Sequence, residues 1–285
     1  MSIEKPKVSA FDLRPHLEFV EEHKDKFKAA INDLLKRSTQ HEFTASIQVD
    51  PKDKYPQYQE SLITNLLASM PESLLAFSDL KQVLFEEHVV EPVFSEDGVW
   101  ETVKHVSPES YPDDQYQVLV GNTWFYEEGE FFVISQSVIP EHFTDDPEAI
   151  WIYQTHVFLH EFFHTIEQNK RSEEQRSSMQ FAYQGQTFNF QNWYEDFEKL
   201  IISGDETQSV SYYASVYKDK LNQDCKKQDP KVYTRALMEQ ICETFVAYQL
   251  NIISNPNGWT NFQEAAPKKW ALMNKLCQAE PIINI

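Results

Sequence analysis

His160-Glu161-Phe162-Phe163-His164 decides how this chain reads. The five residues spell H-E-x-x-H inside a stretch, residues 147–168, of helical character. Residues four apart on a helix lie on one face, one turn above the other. Two imidazoles so placed can converge on one zinc ion, with Glu161 beside them to handle a water proton. The helix is announced by Asp145-Asp146-Pro147-Glu148: an Asp that can cap, Pro at the first helical position and acid in the first turn. No Gly and no further Pro follow as far as Gln168. Ile150, Tyr153, Val157, Phe163 and Ile166 form an apolar stripe, which Trp151, Phe158, Leu159 and Phe162 widen. A helix apolar nearly all round is predicted to be buried. Buried His and Glu side chains need partners, because unpaired buried polar groups are costly. One cation would satisfy both imidazoles; the plainer alternative is two core histidines hydrogen-bonded to neighbours, with Glu161 in a salt bridge. His156 lies one turn before His160. Three ligands on one helix would be nearly collinear, so His156 is expected to support the site from behind rather than to bind metal.

A catalytic zinc takes three protein ligands and keeps one position open. The best source of the third is residues 231–251, again of helical periodicity, with Ala236, Leu237, Ile241, Phe245, Val246 and Leu250 apolar. Glu239 and Glu243 are four apart and share a face. Two acids on one face of a buried helix ask for a cation. A structural role, pairing either acid with Arg235 or Lys231, is the competing explanation.

The segment Glu239-Gln240-Ile241-Cys242-Glu243-Thr244-Phe245-Val246-Ala247-Tyr248 resembles the E-D-F-A-E-T-F-A-x-Y helix of gluzincin-type zinc peptidases, the group that includes the catalytic domain of anthrax lethal factor and related bacterial zinc peptidases. Ser211-Tyr212-Tyr213-Ala214 resembles the S-x-Y-A stretch that precedes that helix in the group. The likeness spans three short motifs between His160 and Tyr248, under a third of the chain. It implies a zincin-like fold, one zinc ion held by His160, His164 and Glu239, support from Glu243, and a tyrosine, Tyr213, on the oxyanion. The chain departs from the pattern at Gln240 and Ile241, where the group has Asp and Phe. The gap of 75 residues from His164 to Glu239 (239 − 164) is longer than is usual there, and much of the excess is the polar stretch 217–228. Tyr233, six residues before Glu239, is therefore a rival to Tyr213. A rival register also exists. Glu243-Thr244-Phe245-Val246-Ala247-Tyr248 resembles the E-G-F-A-x-Y helix of gluzincin aminopeptidases and would make Glu243 the ligand. The Glu239 register is preferred because it uses both acids. No H-x-x-G-x-x-H extension follows His164, which removes a third His at metzincin spacing.

The chemistry implied is zinc-dependent hydrolysis of peptide bonds, with Glu161 as general base. The alternatives are a zincin-like binding protein without catalysis, and a zinc aminopeptidase or other amide hydrolase. A peptide substrate would pair with an exposed strand edge. Residues 117–121, 122–126 and 131–135 read as strands, the last two joined by a turn at 127–130 into a hairpin just before the metal helix. The hairpin could equally serve only to cover that helix.

Composition bounds the rest. At 285 residues, 41% hydrophobic and 14% aromatic, the chain can bury a sizeable core. Six glycines argue for helices and short loops over a glycine-rich nucleotide fold. A net charge of −20 disfavours nucleic acid and anionic membranes as partners; the protein or peptide substrate is what the resemblance implies. No apolar run approaches the roughly 18 residues of a membrane helix. Residues 1–8 lack the apolar core of a Sec signal. A cytoplasmic protein, or one exported without a signal peptide, is expected. Cys225, Cys242 and Cys277 are odd in number and form no C-x-x-C, so no disulfide framework is expected. Cys242 is read as a small core residue pointing off the face of the two glutamates.

The expected architecture is α+β: a zincin-like core of small mixed sheet, H-E-x-x-H helix and Glu helix, over residues 81–285. Residues 1–80 form a mainly helical part packed on it. Helices are predicted at 11–37, 58–77 with a break at Pro71, 193–202, 231–253 and 259–278 with Pro267 as a kink or break. A polar connection is predicted at 171–186.

Overall fold

The computed structural model describes residues 19–37, 48–50, 56–78, 80–86, 89–92, 116–119, 121–126, 129–135, 147–169, 173–204, 210–255 and 258–283. In chain order the elements are α1 (Lys24–Leu35), β1 (Gln48–Asp50), α2 (Pro56–Ala68), α3 (Glu72–Leu75), β2 (Leu80–Glu86), β3 (Val89–Pro92), β4 (Tyr116–Leu119), β5 (Gly121–Tyr126), β6 (Gly129–Ser135) and α4 (Pro147–Asn169). They continue with α5 (Glu173–Ser178), β7 (Gln180–Tyr183), β8 (Gln186–Asn189), α6 (Phe190–Ser203), α7 (Tyr212–Tyr217), α8 (Gln223–Gln228) and α9 (Pro230–Leu250). Last come β9 (Ile252–Asn255), β10 (Gly258–Asn261), α10 (Phe262–Ala265), α11 (Pro267–Cys277) and β11 (Glu280–Ile282). The fold is α+β, mostly helical with small sheets.

The largest sheet is mixed, in the order β1-β2-β6-β5. β1, β2 and β6 run parallel, and β5 closes antiparallel on β6 with Tyr126 paired to Gly129. This is the hairpin predicted ahead of the H-E-x-x-H helix, and α4 packs against both its strands. Among the described residues β5 pairs only with β6, so it is an edge. The Asp145-Asp146 cap lies outside the described residues.

α4 is buried along almost its whole length. It packs against α9, whose residues from Ala236 to Leu250 are buried except Met238. The two variable residues of the motif make that junction. Phe163 meets Phe245 with ring centroids 4.9 Å apart and Phe162 meets it at 6.1 Å, both tilted, while Phe163 also meets Trp193 of α6 at 6.2 Å. The aromatic side of α4 thus anchors it to α9 and α6. α1 lies across both long helices, with Phe27, Ile31 and Leu34 buried. Arg37 donates to the Gln249 carbonyl at 2.8 Å, and Lys28 meets Glu148 in the first turn of α4 at 2.5 Å.

Three predicted stretches differ. Residues 171–186 contain a short helix and a strand rather than a polar connection. Buried Phe181 and Phe188 face each other across β7 and β8, stacked at 5.3 Å, and β11 adds a third strand from the far end of the chain. The turn between β7 and β8 is Gln184-Gly185, both at positive φ (49° and 77°), the conformation a two-residue hairpin needs. α9 stops at Leu250 because Asn251 turns left-handed (φ 53°), and residues 252–255 then pair with 258–261 instead of prolonging the helix. The last predicted helix is a strand, a short helix and α11, with Pro267 starting α11 where the chain restarts after Ala266. Among the described residues no helix is long and apolar enough to cross a membrane.

Candidate metal centre

The site lies where α4 crosses α9. α4 contributes His156, His160 and His164, and α9 contributes Glu239, Cys242 and Glu243; all six are buried. Offsets of three and four residues put each set on one helical face.

Three donor atoms converge. His160 Nε2 is 3.1 Å from His164 Nε2 and 3.2 Å from Glu239 Oε2, and His164 Nε2 is 3.8 Å from the same oxygen. Zinc bonds of about 2.0–2.2 Å arranged tetrahedrally separate ligand atoms by about 3.4 Å. The triangle therefore has the dimensions of three zinc ligands. Two further observations fit a cation. Glu239 Oε2 is shielded from solvent and lies near both imidazoles without the alignment of a hydrogen bond. Two Nε2 lone pairs 3.1 Å apart also repel unless a proton or a metal ion lies between them.

Glu243 sits behind the triangle. Its Oε1 meets His160 Nδ1 at 2.7 Å and His156 Nε2 at 3.1 Å. A carboxylate on the outer nitrogen fixes the imidazole tautomer and raises its basicity toward a metal. The structure thus brings Glu239 to the inner nitrogens and Glu243 to an outer one. His156 shares Glu243 from one turn away.

Cys242 is where the sequence reading and the structure differ. Its sulfur is 3.3 Å from His164 Nδ1 and faces the site instead of pointing away from it. On a helix, residue i+3 is as near a neighbour of i as i+4 is, and Cys242 is i+3 to Glu239. That spacing was the available signal. His160, His164 and Cys242 form a buried group, with ligand atoms within 4.8 Å of one another, that could hold a metal ion.

The electrostatics favour a positive guest. Burial opposes charge on His160, but the carboxylates of Glu239 and Glu243 outweigh it and hold the imidazolium form well above the usual histidine range. Burial would raise both acids. For Glu239 the imidazoles of His160 and His164 more than reverse this, and for Glu243 those of His156 and His160 do so; both stay ionised below the usual carboxylate range. Burial, followed by the surrounding carboxylates led by Glu239, pushes the Cys242 thiol upward. Arg235 reaches Glu239 Oε1 only at 3.9 Å from a largely exposed position. Two buried carboxylates facing three imidazoles are a natural cradle for a divalent cation.

The remaining predicted residues are placed as follows. Glu161, which follows His160 in sequence on α4, is buried. Ser211 caps α7 by accepting from the Ala214 amide at 2.9 Å. Gln240, a departure from the gluzincin-like pattern, donates its side-chain amide to the Ala214 carbonyl and so ties that segment to α9. The Tyr213 side chain lies outside the described residues. Tyr233 is buried with Lys226 Nζ 5.4 Å over its ring, and Lys226 pairs with Glu198 at 2.5 Å. Burial first, then Glu198, raises the Tyr233 phenol. All three cysteines are free thiols.

No family model, curated protein or solved structure matches the chain.

Proposed function

We propose that the chain is a zinc-dependent endopeptidase with a zincin-like core, in which His160, His164 and Glu239 hold one zinc ion. The observation that carries the reading is the triangle of His160 Nε2, His164 Nε2 and Glu239 Oε2 with edges of 3.1, 3.2 and 3.8 Å. Supporting it are Glu243 on the outer nitrogen of His160 and the edge strand β5 packed beside the metal helix.

When bound, zinc polarises a carbonyl oxygen and lowers the pKa of a water to about 7. The protein side chains do the rest. Glu161, between the two histidines in sequence, takes the proton of the attacking water and returns it to the leaving amine. Glu243 holds His160 so that its Nε2 lone pair points inward. Tyr213 is the proposed hydroxyl donor to the oxyanion, a type of contact worth roughly 100- to 1000-fold in rate. An extended peptide would add to the backbone of β5, which fixes its register.

The test pairs metal analysis with a proteome-wide search for new chain termini. Purified protein should carry one zinc per chain and generate internal cleavage products. The Glu161→Gln variant should keep its zinc and lose cleavage by about 100- to 10,000-fold. Protein that takes up no stoichiometric zinc, or that cleaves undiminished with Gln at 161, would end this reading.

A further inference from the structure

We infer that Cys242 is the positioning residue of His164: its sulfur receives the Nδ1–H and so holds the imidazole in the tautomer whose Nε2 lone pair faces His160 and Glu239. The inference rests on the zinc reading above and extends it to a residue with no assigned role.

The argument is one of hydrogen bookkeeping. For both histidines to bind metal through Nε2, both must carry their proton on Nδ1. Each Nδ1–H then needs an acceptor, because His160 and His164 are both buried. For His160 the acceptor is Glu243 Oε1 at 2.7 Å. For His164 the contact at Nδ1 is Cys242 Sγ at 3.3 Å, within the range of a hydrogen bond to sulfur. A thiol is both a weak donor and a weak acceptor. Without metal, the protonated His160 carries Nε2–H, 3.1 Å from His164 Nε2, so His164 accepts there and keeps its own proton on Nδ1, facing Cys242 Sγ. A carboxylate at 242 would add a third buried negative charge beside Glu239 and Glu243. One turn of α9, from Glu239 to Glu243, would then supply a ligand and both outer-nitrogen partners.

The two partners are unequal. A carboxylate strengthens the imidazole it holds, and a neutral sulfur does so less. His164 is accordingly the weaker of the two histidine ligands and the one most sensitive to its partner. Serine at 242 keeps the donor–acceptor duality, whereas valine keeps only the bulk.

The full-length protein, its C242S variant and its C242V variant would be compared by chelator competition for zinc. Circular dichroism of each would establish that it is folded. Histidine-labelled zinc protein, read by long-range proton–nitrogen correlation, would report the tautomer of His164. The expected results are zinc binding about 10-fold weaker in C242V, recovery to within about 3-fold in C242S, and a His164 Nδ1–H signature lost only in C242V. Wild-type zinc affinity in C242V would overturn the inference. So would a sulfur-to-cobalt charge-transfer band in the cobalt-loaded wild type that C242S lacks, since Cys242 would then be a ligand. A control separates this from failure of the zinc reading: H164A should lose zinc, and zinc affinity unchanged in H164A would remove the site itself.

Discussion

At the scale of single residues, the two glutamates of α9 make opposite predictions. Glu239 Oε2 faces both inner nitrogens, and Glu243 Oε1 faces the outer nitrogen of His160. Glu239→Gln removes the charge of the proposed third ligand and should abolish tight zinc binding. Glu243→Gln keeps a hydrogen-bonding group behind His160 and should weaken zinc by about 10- to 100-fold. Titration of zinc into both variants decides the assignment: the reverse order would make Glu243 the ligand, as in the aminopeptidase-like register. Much of this site was legible beforehand. The i, i+4 spacing of His160 and His164, and of Glu239 and Glu243, is a property of the helix and can be read from numbers alone. Which glutamate faces inward is not, because it depends on how α9 is rotated against α4. That rotation is set by Phe162 and Phe163 packing on Phe245, a contact between residues about 80 positions apart. The role of Cys242 was hidden for the same reason, since its sulfur gains meaning only from an imidazole on the other helix.

At the scale of elements, α9 is held at its far end by Tyr248, whose hydroxyl donates to Asn274 Oδ1 of α11 at 3.1 Å. Burial foremost, with Cys277 nearby, pushes this phenol up to about 12, although Gln278 and Arg37 pull the other way. The unfolded value is about 10. A folded pKa above the unfolded one means that the neutral form is favoured in the fold. Its contribution to stability is whole below pH about 10 and is lost as pH rises toward about 12. Buried Tyr194 and Cys277, also raised chiefly by burial, act in the same direction. Melting temperature should therefore fall steeply across this alkaline window. Tyr248→Phe should cost about 1 kcal/mol at neutral pH and flatten part of the alkaline slope. Equal slopes in the two proteins would assign the alkaline loss to other groups. Long elements with a strong period, α4 and α9, were readable from sequence to within a few residues. The short ones were not. β7 and β8 are four residues each, and among the described residues they find strand partners in one another and in β11, about 100 positions later. The end of α9 was misplaced because the left-handed Asn251 carries no mark beyond its residue type.

At the scale of the whole molecule, nothing in the sequence indicates that α1 spans the two helices carrying the site. Its buried Phe27, Ile31 and Leu34, with Lys28 at the start of α4 and Arg37 at the end of α9, brace that pair from the side. Zinc would clasp the same two helices from within, across a 75-residue excursion of chain, in a molecule whose net charge is −20. Brace and clasp are separable by melting experiments. A ligand that binds only the folded state, at 1,000 times its dissociation constant, stabilises by about 4 kcal/mol. At about 2–4 °C per kcal/mol for chains somewhat shorter than this one, zinc should raise the melting temperature by roughly 10 °C over a chelated sample. Ile31→Ala removes buried side-chain volume from the brace and should cost about 2–5 kcal/mol. It should lower the melting temperature with and without zinc while preserving most of the gap between the two, because it touches no ligand. His164→Ala should do the opposite: the zinc-dependent gap closes. A gap of full size in H164A would mean that zinc stabilises the fold from somewhere other than the crossing of α4 and α9.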